Sequence, residues 1–491
     1  MAKRFSHIWH FSARQIDICS NAFFDCKILR LQEVRVLETH IETDLLVVGA
    51  GGAGLMAAST AALKNKKIKI VVLESNPDKK SNTEIASNFI PAAGTRYQMK
   101  AGVSDNYYKL ASDILKKNGG KGDIEVIQEI CRNAPEALHQ LADDIGITLE
   151  YAPELNWLGH STRRLHAHPD RSGPPIHKKL KEYAVRSNQI EIIEYARANN
   201  FIKNQNLIVG MTAVKNGKQI SVFAKKIALT TGGFSANKEM VSKYIPQMKH
   251  APNIGSKTDY GDGILLAEAE GAQLSLMSGY QGRDCIFEDG TRITPPVLNE
   301  GGIAINVAGQ RFVDETLDYS ALAEVYRSQP TGFAYFIWDA RIQKLVEDVF
   351  VMKDAMQKGG ILQAKSLDVL ALKLSIPPPT LKKTINEYNL GVKNNFDNYG
   401  RQNLTQPLRP PWYSAKITGA IAHTQGGLRV DKHCRVLNFA DTPIQNLYAG
   451  GNTIAGLSGD KPSGYLSGNG LLVAYSTGLI IGNHVANHLN P

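Results

Sequence analysis

Cysteine is scarce in this 491-residue chain: five residues, at positions 19, 26, 131, 285 and 434, with no CxxC spacing. That scarcity excludes c-type haem attachment, cysteine-rich iron–sulfur clusters and zinc ribbons. It points to a reducing, cytoplasmic setting and makes any electron donor or acceptor a separate molecule. Long Lys/Arg runs are also missing. The formal net charge of +10 is spread over a mixed surface, and nucleic acid is not an expected partner. His160, His166, His168 and His177 fall in a polar loop without the logic of a metal site, so no metal is expected. Residues 1–43 lack both an apolar core and a small-residue cleavage site, which argues against a signal peptide. They read as an N-terminal extension.

Two uncharged stretches, 45–63 and 462–483, approach the roughly 20 residues of a membrane span. Their glycine density suits buried segments that approach a ligand closely, and no integral span is expected. At this length, two or three domains are the prior.

What is present begins at Leu45. Leu45–Val48 is a short apolar run typical of a buried parallel strand, followed by Gly49-Ala50-Gly51-Gly52-Ala53-Gly54 and an Ala-rich helical stretch to Lys64. Ile68–Leu73 is a second strand, ending at Glu74, about 20 residues beyond the glycines. The first glycine permits the tight turn, the second lets a pyrophosphate reach the backbone, and the third lets helix pack on strand. Glu74 is placed to accept the ribose hydroxyls of an adenosine. No second such fingerprint occurs, so a stably bound nicotinamide dinucleotide has no evident site.

Ile227–Thr231 reads as another buried strand, ending in Gly232-Gly233. Beyond Asp284 the character changes to short strands (302–307) mixed with helices (367–374 and from Leu381). Strand-like pieces at 419–430 and 446–451 precede a glycine-studded C-terminal segment.

Seven blocks in order resemble the fumarate reductase and 3-ketosteroid dehydrogenase group of flavoproteins. They are residues 47–58, 81–95, 228–240, 309–315, 423–431, 447–452 and 463–472. The resemblance implies an α/β fold: a Rossmann-like FAD-binding domain of the glutathione-reductase type, interrupted by an inserted α+β capping domain. The expected boundaries are 44–282 and 421–491 for the FAD-binding parts and 283–420 for the cap. It also implies FAD and a small-molecule substrate. The 81–87 block lacks the histidine of covalent members, so the FAD is expected to be non-covalent.

Carried over, the cofactor residues begin with the loop (Gly49, Gly51, Gly52, Ala53, Gly54) and the acid end (Glu74, Ser75). Asn82, Thr83, Ala86 and Ser87 would line the flavin, with Ala213 and Val214 and the turn Thr231, Gly232, Gly233. Gly451 and Asn452 would reach the ribityl chain, and Gly468, Leu471 and Leu472 the pyrimidine edge.

Where fumarate reductases carry a proton-donating arginine, this chain has Tyr319, and where they clamp a carboxylate it has Tyr465. Their acid–arginine proton path would fall near Pro295 and Leu298, where neither residue type exists. The tyrosine pair is similar to 3-ketosteroid dehydrogenases. By that resemblance Tyr319 exchanges a proton with the substrate, and Tyr465 and the N–H of Asn469 polarise a ketone. The same resemblance implies that His423 contacts the substrate. The expected reaction forms or reduces a C=C bond beside a carbonyl, a ketone or enone first. The nearest alternative is an unsaturated carboxylic acid held by Arg283, Arg171 or Arg292, and the second is a flavin-containing subunit without turnover.

Overall fold

The computed structural model describes residues 39–155 and 157–489. The N-terminal reading therefore lies almost wholly outside the described residues, and the first strand begins at Thr39 rather than near residue 44. The elements that place the site are β1 (Thr39–Val48), α1 (Gly52–Lys64), β2 (Ile70–Glu74), β3 (Ile190–Glu194), β4 (Leu207–Lys215), β5 (Lys218–Leu229), β6 (Tyr280–Ile286), α2 (Tyr319–Arg327), β7 (Ala334–Asp339), β8 (Trp412–Thr424), β9 (Pro443–Ala449) and α3 (Asn469–His488).

Five of these strands form a parallel sheet in the order β9–β5–β1–β2–β3. Leu45–Val48 pairs with Ile70–Leu73 on one side and Lys226–Leu229 on the other, and all four residues are buried. That burial on both faces explains the continuous apolar runs. The antiparallel strand β4 joins β5 and carries an outer strand, Ala196–Asn204. The last parallel strand comes from the chain's C-terminal part, so both ends of the described chain build one sheet.

α1 has almost no polar face, because α3 covers it; both helices are buried along most of their length. This accounts for both uncharged stretches, and no helix of the described residues is long and apolar enough to cross a membrane.

A second, antiparallel sheet contains β6, β8 and β7, with a separate hydrophobic core behind it. Its strands run from Tyr280 to Thr424 and so straddle the boundaries expected at 283 and 420. α2 lies tightly on this sheet. A side chain at Gly282 or Gly419 would collide with the helix backbone at Ser320 or Ala323. Asp318 caps α2 through the N–H groups of Ser320 and Ala321, which fixes Tyr319 as its first residue.

Candidate active site

The C-terminal ends of β1, β2 and β5 open into a cleft enclosing about 1700 Å³, open solvent included. This is where doubly wound sheets bind their ligands. Gly49 has φ +108°, and a Cβ there would run into the Thr230 carbonyl. At Gly51, by contrast, a Cβ meets nothing nearer than Ser81 at 4.0 Å. Its backbone faces the open cleft, and α1 starts there without a side-chain cap. A glycine-lined helix start that opens onto the cleft fits a pyrophosphate. Gly54 does not line the cleft. It is the packing glycine, with Thr230 Oγ1 within 2.6 Å of where its Cβ would be.

Glu74 receives the N–H of Ala50 (3.0 Å) and of Asn76 (2.8 Å), leaving lone pairs free for ribose hydroxyls. The residues present therefore fit FAD. Ser75, Asn82, Thr83, Ala86, Ser87, Thr231, Gly232, Gly451, Asn452, Gly468 and Leu471 all face the same cleft with Gly52 and Ala53.

Four expectations are corrected. Ala213 and Val214 sit in β4 outside the cleft; the wall near Glu74 is made instead by Ala196, Arg197 and Ala198. Gly233 turns toward the Thr424 hydroxyl, and Leu472 is packed inside the core. The Asn469 N–H is already donated to the Leu466 carbonyl (3.0 Å), so it cannot polarise a substrate. The next N–H, of Gly470, faces the cleft and points at Tyr465 Oη (3.4 Å).

At the other end of the cleft the two tyrosines come together with His423. The His423 and Tyr465 rings meet edge-on, 5.6 Å between centroids. Gln425 Oε1 accepts from Ser458, so its Nε2 donates to His423 Nδ1 (3.1 Å). That arrangement leaves a proton on Nε2, which faces Gly470. Burial holds the His423 imidazole at about 4, neutral near pH 7, and pushes Tyr465 well above the ordinary phenol. Three neutral donors, Tyr465 O–H, His423 Nε2–H and Gly470 N–H, therefore surround one small region.

Tyr319 Oη accepts from Gln281 Nε2 (3.2 Å) and meets Ser467 Oγ at 3.1 Å. The Arg283 guanidinium lies 4.9 Å above the Tyr319 ring. Burial nonetheless outweighs that cation, and the phenol pKa is raised rather than lowered. Asp318, which would add to that rise, is held by Lys117 Nζ at 2.9 Å. Arg283 and Arg292 line the cleft and form no ion pair with any described residue. Arg171 is elsewhere, paired with Glu154 at 3.2 Å.

The sequence reading passed over Asp259. This buried carboxyl accepts from Asn82 Nδ2 (2.6 Å) and Ser235 Oγ (3.4 Å), and burial raises it to about 6. A folded pKa above the ordinary ~3.9 means stability is greatest below pH 4 and is lost as pH rises through 6. Asp259→Asn is expected to remove roughly 2 kcal/mol of that loss between pH 4.5 and 7. Urea unfolding of the FAD-free protein at both pH values checks this; parallel curves for the two proteins would refute it.

Residues 44–471 match the model of the FAD binding domain family. A probable fumarate reductase, Ifc3, of Shewanella frigidimarina is 28% identical over 459 residues, covering 91% of this chain and 75% of that protein. Among solved structures, the open conformation of a flavocytochrome c3 fumarate reductase superposes with a TM-score of 0.79 at 27% identity, covering 92% of this chain and 79% of that one. A 3-ketosteroid-Δ4-(5α)-dehydrogenase from Rhodococcus jostii RHA1 shares the fold (TM-score 0.74, 22% identity, 92% of this chain and 99% of that one). The family match runs from the strand that carries the glycine loop to the turn that carries Tyr465, and the chain belongs to the FAD binding domain family of flavoproteins.

Proposed function

We propose that this FAD-dependent oxidoreductase reduces the C=C bond of an unsaturated carboxylate in which the double bond is conjugated to the carboxyl group. The observation that carries the reading is the pair Arg283 and Arg292, two guanidinium groups in one cleft with no ion-pair partner among the described residues. Burial and the neighbouring Arg283 depress Arg292, which marks the mutual repulsion that an anion would relieve. A neutral ketone would leave both charges uncompensated.

Bound FAD supplies hydride exchange at its N5. The protein's task is to hold the double bond there and manage one proton. Tyr465, His423 and Gly470 donate to a carbonyl oxygen on which negative charge develops. Tyr319 donates the proton to carbon. It is protonated at neutral pH, as a group that gives up a proton in the reductive direction must be. The tyrosines stand where the resemblance would put two arginines, which fits one carboxylate rather than two.

Replacing Arg283 or Arg292 by Gln is expected to raise KM for crotonate about tenfold or more, with a far smaller effect on cyclohexenone. An unchanged KM for the acid would sink the carboxylate reading. The second reading, an enone, is favoured by the three neutral donors around Tyr465, which suit a ketone oxygen equally well.

A further inference from the structure

We propose that Asp284 is the internal counter-charge of the two cleft arginines, a positioning residue that acts through Arg283 and sets how tightly the cleft holds an anion. The inference rests on the reading of Arg283 and Arg292 as a carboxylate clamp.

Both arginines come from one irregular hairpin. Arg283 pairs with Ala420 and Ile286 with Thr418, three steps along β6 against two along β8, so β6 carries an extra residue. Cys285 takes up the difference with φ +55°, in the left-handed region. Past this bulge the chain turns back, and Arg292 bridges to Ile286. A bulge re-aims the side chains beside it, and here both guanidinium groups reach the cleft.

Asp284 sits inside the bulge, next in sequence to Arg283. It is 4% exposed and does not line the cleft, and its Oδ1 has no hydrogen-bond partner among the described residues. No ion pair tethers it to Arg283, so it acts through charge across buried protein rather than by holding the side chain in place. The other groups around it cannot take that part. Cys285 and Tyr326 are buried and stay protonated. Asp318 is held by Lys117, and Arg327 is engaged by the Gly332 carbonyl and the Thr418 hydroxyl. β8 places only Ala420 and Thr418 opposite. Arg283 is the cation that faces Asp284.

Burial pushes the Asp284 carboxyl up to about 6, with Arg283 pulling the other way. Above that pH the carboxylate offsets part of the Arg283 charge. Below it, protonation removes the offset and the clamp pulls harder on an anion.

The test measures binding without turnover: calorimetric Kd of crotonate for the oxidised holoenzyme at pH 7.5 and 5.5, where the acid stays largely ionised. Wild type is expected to bind at least about threefold more tightly at the lower pH. Asp284→Asn keeps the shape and removes the charge, so it should bind equally tightly at both, matching wild type at the lower pH. Asp259→Asn removes the other buried cleft carboxyl raised to about 6 and should keep the slope. Crotonamide, which has no charge, should bind independently of pH. A flat wild-type response, a slope that survives in Asp284→Asn or vanishes in Asp259→Asn, or weaker crotonate binding by Asp284→Asn overturns the counter-charge. A crotonate Kd unchanged by Arg283→Gln would instead overturn the clamp beneath it.

Discussion

Tyr319→Phe is expected to cut turnover by roughly 10²–10⁴-fold while the visible spectrum of the bound FAD stays as in the wild type. The substitution removes one hydroxyl and leaves the ring. The ring keeps its place because α2 is fixed by the Asp318 cap and by close contact with β6 and β8. The lost oxygen is the group that meets Gln281 and Ser467. No other described side chain near it is a ready acid: His423 is neutral, with its Nδ1 engaged by Gln425, and Asp318 is paired with Lys117. KM should move little, since Phe retains the apolar contact. A spectrum shifted as strongly as the rate would point to a disturbed flavin site instead, and unchanged turnover would remove Tyr319 from the chemistry.

Gly49→Ala is expected to yield protein purified without FAD. Two independent costs act at this position. The backbone sits at φ +108°, which an L-residue adopts only with strain, and the new methyl would meet the Thr230 carbonyl. Together these cost about 3 kcal/mol or more, and relief requires moving β1 away from β5, which opens the cradle. FAD affinity should fall at least about a hundredfold, taking 1.4 kcal/mol per tenfold. The absorbance ratio of flavin to protein, followed by titration of FAD into the apoprotein, measures this. Gly51→Ala is a useful companion. Its Cβ would enter open cleft rather than protein, so that variant should keep its fold and lose only cofactor.

These two predictions differ in how they were legible. The glycine loop is a local device. Strand, turn, helix and second strand follow within about thirty residues, as the βαβ fingerprint requires, and the structure puts each where the pattern does. Helix 367–374 was equally plain, because its Ser366 cap and its apolar spacing are local too.

What failed was whatever depends on distant chain. Ala213 and Val214 lie in a strand, as do Ala196 and Ala198, which line the cleft in their place. Only the pairing of β4 on β5 decides which strand faces the cleft. Asn469 failed by a single residue. Gly468, at φ +93°, turns the chain so that the Asn469 N–H closes back on Leu466 and hands the exposed position to Gly470. Of the three arginines weighed for an anion, two reach the cleft, and Arg171 is claimed by Glu154. No sequence spacing carries that information. Asp259 was silent for the same reason, because its hydrogen-bond partners Asn82 and Ser235 are 177 and 24 residues away in sequence.

The most direct test of the central claim is anaerobic reoxidation of the bound, reduced flavin, mixed in parallel with crotonate and cyclohexenone. Rapid reoxidation by the acid, at least about tenfold faster than by the enone, is the predicted result, one tenfold step being 1.4 kcal/mol of preference. Reoxidation by the enone alone would contradict it and leave the pairing of Arg283 and Arg292 in the cleft unexplained by the substrate.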